Sequence, residues 1–198
     1  MNTVKPIQLI NSRNTCRLQM YYNHIILQDM VLKQNYTTIF ELPKVKNITL
    51  HTTSKQYLND KKNIIPALLS LELITGQKPT LTYAKKAIAI FKLRKDQILG
   101  CKVTLRNQSL FGFLDRFVTI VLPRLRDFSG INRKSVDTSG NFSIGLDNIL
   151  VFTELENHYE YFESLRGIDI NISIIAKNPE DIFLLCSAIQ LPGNSLSH

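Results

Sequence analysis

From Ile168 to Ile174 isoleucine takes every second position, and Asp169, Asn171 and Ser173 stand between. A period of two puts successive side chains on opposite faces of a strand, so the run requires an apolar layer on one side and tolerates water on the other. Ile98 to Arg106 repeats the pattern: Cys101, Val103 and Leu105 point one way, and Lys102, Thr104 and Arg106 the other. Strands of a wholly parallel sheet are apolar on both faces. Half-polar strands belong to an antiparallel sheet covered on one side.

The intervening segments supply the cover. Leu18, Tyr21, Tyr22, Ile25, Ile26, Met30 and Val31 recur at the three-and-four spacing of an amphipathic helix over Arg17 to Lys33. A second helix is expected to open near Asp60, run through Ile64, Leu68, Leu71 and Ile74, and end at Gly76. Leu110, Phe113, Leu114, Phe117, Val118 and Val121 give a third, expected to stop at Pro123. Asn178 and Pro179 open a last helix through Ile182, Leu185 and Ile189, with Glu180 and Asp181 suiting its N-terminal dipole. Val45–Leu50, Thr80–Tyr83, Phe142–Ile144 and Ile149–Phe152 read as further strands, and Glu154 to Glu163 is acidic, aromatic and of undecided state. With no regular strand–helix–strand spacing and no Rossmann glycines, the expectation is an α+β fold: a mainly antiparallel sheet with helices packed on one face and the other face partly free for a ligand.

Charge says what that ligand is. Of the formal net +8, the stretch from Gly76 to Arg106 holds +7: Lys78, Lys85, Lys86, Lys92, Arg94, Lys95, Lys102 and Arg106 against Asp96 alone. The part before it is also basic and the part after it acidic. Cations spaced among apolar residues, without acids to neutralise them, attract a polyanion, and the commonest extended polyanion in a cell is nucleic acid. The alternative is a solvated basic face with no partner. The alanine- and lysine-rich part after Tyr83 is read as an exposed loop of a hairpin rather than a helix, because its cations lack acids at helical spacing. Tyr83 and Phe91 either stack on bases or anchor that loop to the core. The strip Lys102, Thr104, Arg106 is suited to phosphates and 2′-hydroxyls of structured RNA, or else is simply a wet strand face. Arg124, Arg126, Arg133 and Lys134 fall in a turn-rich segment expected to be a long basic loop.

Catalytic and metal signatures are lacking in the sequence. His24, His51, His158 and His198 are scattered, no Walker loop, GxGxxG or GxSxG is present, and Cys16, Cys101 and Cys186 form no CxxC pair. Neither a disulfide framework nor a zinc site is expected, and Cys101 is read as a packed thiol on the core face of its strand. No cofactor, metal, membrane span or small-molecule substrate is anticipated; no apolar run reaches the roughly 18–20 residues that a span needs.

Taken in order, GQKPTLTYAKKAIAIFKLRKDQILGCKVTLR, LFGFLDRFVTIVLPRLRDFSGI, KSVDTSGNFSIG and LRGIDINISIIAK resemble the large-subunit ribosomal protein numbered five, the 5S rRNA-binding protein. The likeness runs from about Tyr21 to Pro192, including Gly100, Gly140, Gly145 and Gly167 at family glycine positions. It implies a non-catalytic protein of the large ribosomal subunit. Residues 17–192 would be a single domain, residues 1–16 a basic irregular extension and residues 193–198 a tail.

The resemblance also implies partners. The sheet face and its flanks would lie on 5S rRNA, or a substitute rRNA, in the central protuberance, through His51, Gln77 and Thr104, to which the charge reading adds Lys78, Lys102 and Arg106. His51 stands where the family has Asn, and TTSKQYLND lacks the family's glycine-containing turn. The basic loop would contact P-site tRNA through Lys85, Lys86, Lys92 and Arg94. Arg124, Arg126, Arg133 and Lys134 would bridge to the small subunit's protein thirteen, and other central protuberance proteins and large-subunit rRNA would lie alongside. The Asn-, Ile- and Lys-rich bias suits an organelle or an AT-rich microbe; together with residues Met1 to Asn14 beyond the family's usual start and the divergent tail LPGNSLSH, it points to a mitochondrial ribosome in the matrix, with plastid or bacterial cytoplasm as alternatives. An off-ribosome RNA-binding regulator or chaperone with the same fold is the other functional reading.

Overall fold

Five antiparallel strands form one sheet: β1 (Lys44–Thr53), β2 (Thr80–Tyr83), β3 (Ile98–Leu105), β4 (Asn141–Leu146) and β5 (Ile168–Ile175), in the order β2-β3-β1-β5-β4. The structure is a computed structural model that describes residues 16–59, 61–126, 128, 130, 136–137, 140–163, 165 and 167–192. Helix α1 (residues 17–33) contains a π turn at Tyr22–Ile26, α2 is Gln56–Asn59, and α3 is Ile64–Thr75. Helix α4 covers residues 107–124, α5 is Thr153–Glu156, α6 is Tyr159–Phe162 and α7 is Pro179–Ala188.

The alternation in the sequence becomes the two faces of the sheet. Ile48 and Leu50 of β1, Cys101, Val103 and Leu105 of β3, and all four even-numbered isoleucines of β5 are buried in one core beneath the helices. Helix α3 lies on β3 and β1, and α4 reaches β1 while holding α1 on its far side. Phe113 and Phe117 of α4 stack at 5.7 Å, and Phe113 also meets Phe152 at 6.4 Å. The Cys101 thiol is fully buried, which pushes its pKa up to about 12 and leaves it unreactive.

Two expectations need correction. Ile149–Val151 is a 3₁₀ turn, not a strand, because the Asn148 side chain accepts the Leu150 amide and so turns the backbone locally. Helix α4 does not stop at Pro123 but continues to Arg124. Its π turn, in which the Leu122 amide bonds back to Phe117, has already shifted the hydrogen-bond ladder by one residue where the proline enters. The second helix is α-helical from Ile64, directly after a 3₁₀ turn at Lys61–Asn63, while Asp60 lies outside the described residues. Its end is as expected, with Gly76 left-handed at φ 67° and its amide bonded to Glu72. The Glu154 to Glu163 stretch resolves into α5 and α6.

Gly100 leaves no room for a side chain between β3 and β1: a Cβ there would lie 2.1 Å from the Thr52 carbonyl oxygen. Gly100→Ala must push the two central strands apart, and the expected result is a loss of about 1–3 kcal/mol in urea unfolding. An unchanged unfolding midpoint would show that the strands have room to move.

Candidate nucleic-acid interface

Strand pairing aligns the outward side chains into four rows across the uncovered face. Thr82, Gly100 and Thr53 form one row. Thr80, Lys102, His51, Asp169 and Gly145 form the next. Thr104, Thr49, Asn171 and Ser143 follow, then Asn47, Ser173 and Asn141. No aliphatic or aromatic hydrocarbon side chain interrupts these four rows; Ile175, 57 % exposed and paired with Lys44, continues the same face at the end of β5. Thr104, Lys102 and His51, all singled out in the sequence, sit on the same face. Sequence reasoning missed Asn47, Thr49, Thr53, Asn171 and Ser173; the alternation in β5 already held the last two.

Gln77 and Lys78 are exposed between α3 and β2, next to the left-handed Gly76, and the Gln77 amide donates to the Thr75 hydroxyl. Arg106 follows β3 directly and is exposed at the start of α4. Gln77, Lys78 and Arg106 thus stand at strand ends, whereas His51, Lys102 and Thr104 lie within the rows.

The basic loop is a finger rather than a helix. At its root the Ala84 and Gln97 backbones join (2.9 Å), and near its tip Ile88 and Leu93 exchange two hydrogen bonds of 3.1 Å. The Gln97 side chain adds a bond to the Leu58 carbonyl and accepts the Arg94 amide. Lys85, Lys86, Lys92, Arg94 and Lys95 are all exposed. So are Ile90 at 88 % and Phe91 at 58 %, so Phe91 does not anchor the finger to the core. Tyr83 is exposed as well.

Ion pairing sharpens the polarity. Arg17 meets Asp115, Lys33 meets Asp29, Arg116 meets Glu154, Arg124 meets Glu156, Lys177 meets Glu41, and His51 faces Asp169 at 3.4 Å. Among the described residues, none of the cations between Gly76 and Arg106 has a carboxylate partner. The Lys102 ammonium and the finger cations are therefore free to neutralise phosphates.

The proposed bridge residues fare differently. Arg124 belongs to the last turn of α4, not to the loop, and Glu156 occupies its guanidinium. Arg126 is exposed. Arg133 and Lys134 lie outside the described residues. Glu154 and Glu156, from the acidic stretch of undecided state, clamp α5 to α4. Arg116 also donates to the Ile74 carbonyl and so ties the end of α3 into the same cluster.

A sheet covered on one side, with hydroxyl, amide and cationic side chains on the other and a basic finger at one end, is the architecture of a nucleic-acid-binding protein. Comparison with known proteins narrows the class. The family described as ribosomal protein L5 matches residues 39–94, and the C-terminus of the same ribosomal family matches residues 98–192. The large ribosomal subunit protein uL5 of Cupriavidus metallidurans is 43% identical over 178 residues, 90% of this chain and 98% of that protein. Those of Ralstonia pickettii, 41% identical over 178 residues (90% and 98%), and Neisseria meningitidis, 40% over 176 (89% and 97%), are similar to the same extent. The chain belongs to the ribosomal protein L5 family. It is a ribosomal protein, not an enzyme.

Proposed function

We propose that this protein is a structural constituent of the large ribosomal subunit that holds 5S rRNA, or an rRNA in its place, against the uncovered face of its sheet. The observation that carries the reading is the set of polar rows, with Lys102 and Thr104 side by side on β3 and no described carboxylate engaging Lys102. His51, Lys102 and Thr104 contact the RNA from the rows; Gln77, Lys78 and Arg106 contact it from the strand ends. The finger takes P-site tRNA in the assembled ribosome through Lys85, Lys86, Lys92 and Arg94, with Phe91 and Ile90 at its tip. Arg126, with Arg124, Arg133 and Lys134, meets the small subunit's protein thirteen, and Glu156 restrains Arg124 within that contact. The composition bias, the residues before the family's usual start and the divergent tail together favour a mitochondrial ribosome; the relatives named above are bacterial, so cell fractionation decides between the matrix and a bacterial cytoplasm.

Thr104→Ala tests the face directly. It removes one neutral hydrogen-bond partner, worth about 1 kcal/mol, so affinity for a 5S rRNA transcript should fall about fivefold. The slope of log affinity against log salt should stay unchanged, since no phosphate charge is released. Equal affinity for wild type and variant across the salt series would remove the face from the interface.

A further inference from the structure

We propose that Asp169 is the base-reading group of this face, accepting the paired N–H donors of a guanine. The proposal rests on the reading of the face as an rRNA-binding surface and adds to it the chemistry of selection.

Asp169 is the sole acid in the five described strands, and it sits in the middle of a surface whose other charge is positive. A carboxylate there repels phosphate. As a half-exposed cross-strand partner of His51 it adds little to the fold. Its placement makes sense when it accepts hydrogen bonds that RNA supplies. RNA offers such donors on base edges and ribose hydroxyls, and two parallel N–H groups matching a carboxylate occur on the guanine edge.

The two oxygens are differently placed. Oδ2 faces His51 Nε2 at 3.4 Å, along the row. Oδ1 has no hydrogen bond or ion pair among the described residues. Gly145 lies directly opposite on β4, and a Cβ at Gly145 would stand 3.3 Å from Oδ1, so the glycine keeps that side of the carboxylate clear. On the other side of His51 lies Lys102. Two inter-strand spacings, about 10 Å, separate Lys102 from Asp169. One nucleotide can therefore lay its phosphate on Lys102 and its base edge on Asp169, with His51 between them.

The test compares a 5S rRNA transcript with a generic RNA duplex of equal length, on wild-type protein and on Asp169→Asn, Gly145→Ala and Lys102→Glu, each first shown to unfold like wild type. An amide offers one acceptor and one donor, so it mismatches the paired guanine donors. Asp169→Asn should weaken 5S binding about tenfold while tightening the generic duplex about twofold, because a negative charge is gone. Gly145→Ala, which changes no charge, should weaken 5S alone. Replacing guanines by inosine one at a time should find a position that costs wild type about tenfold and costs Asp169→Asn nothing further. Tightening of both RNAs alike by Asp169→Asn, the absence of any coupled inosine position, or coupling to a 2′-deoxy substitution instead would overturn the guanine assignment. Unchanged 5S binding by Lys102→Glu would overturn the reading of the whole face.

Discussion

Phe113→Ala should lower the unfolding free energy by about 3–5 kcal/mol, the cost of removing a buried aromatic ring and leaving part of its volume empty. Phe113 is 2% exposed and touches a ring on either side, Phe117 one turn on in α4 and Phe152 just before α5. It links the long helix over the sheet to the short helix α5 that Arg116 and Arg124 already clamp through Glu154 and Glu156. A domain of this size is stable by about 5–15 kcal/mol, so the variant retains a fraction of its margin and melts roughly 6–20 °C earlier. Phe113→Leu, which keeps most of the volume, should lose less than half as much. Phe91→Ala on the exposed finger should stay within about 0.5 kcal/mol of wild type. A loss below about 1 kcal/mol for Phe113→Ala, read from urea midpoints at constant slope, would show that the aromatic stack is not the centre of the core.

The parts of this molecule legible in the sequence are those with a local period. Ile168 to Ile174 and Ile98 to Leu105 declare both their strand state and their faces, because side-chain direction along a strand is set by the backbone alone. The left-handed glycine after α3 and the hairpin nature of the finger are legible for the same reason: Gly76 and the uncompensated lysines are local signals. What the sequence conceals is register. Nothing in HTT or RGIDI says that His51 and Asp169 lie opposite each other, since that pairing depends on how β1 and β5 slide into place. The carboxylate partners of Arg116 and Arg124 are hidden likewise, as they come from a segment with no clear period. Ile149–Val151 misleads because its β-rich composition says nothing of the Asn148 side chain, whose local bond decides the backbone there. Lys102 and Thr104 are recognisable as a polar strip from one strand; that the strip continues across four strands as Thr49, Asn171 and Ser143 is a product of pairing.

Lys85→Glu with Lys86→Glu should separate the finger from the sheet face more sharply than any other pair of substitutions. The finger between Ala84 and Gln97 carries five cations and Asp96, a net of +4, and the double reversal brings it to zero. Both lysines are exposed, and among the described residues neither has an acidic partner, so the fold loses no contact and stability should move by about 0.5 kcal/mol or less. The finger is shaped by backbone hydrogen bonds at Ala84–Gln97 and Ile88–Leu93, which do not depend on the lysines. Binding is another matter. Each lysine that neutralises a phosphate releases a counterion, and removing two lowers the salt slope by about two. Placing carboxylates against phosphates adds repulsion worth several kcal/mol across the contact, so affinity for a tRNA elbow fragment should drop on the order of a hundredfold at low salt. Affinity for 5S rRNA should change by about twofold or less, because the rows that carry Lys102 and Thr104 lie on the sheet itself and keep their charge. Gel-shift titrations of both RNAs on the same variant decide the matter: parallel loss of 5S and tRNA binding would mean that finger and sheet face grip one RNA together, and the division of labour assigned to them would be wrong.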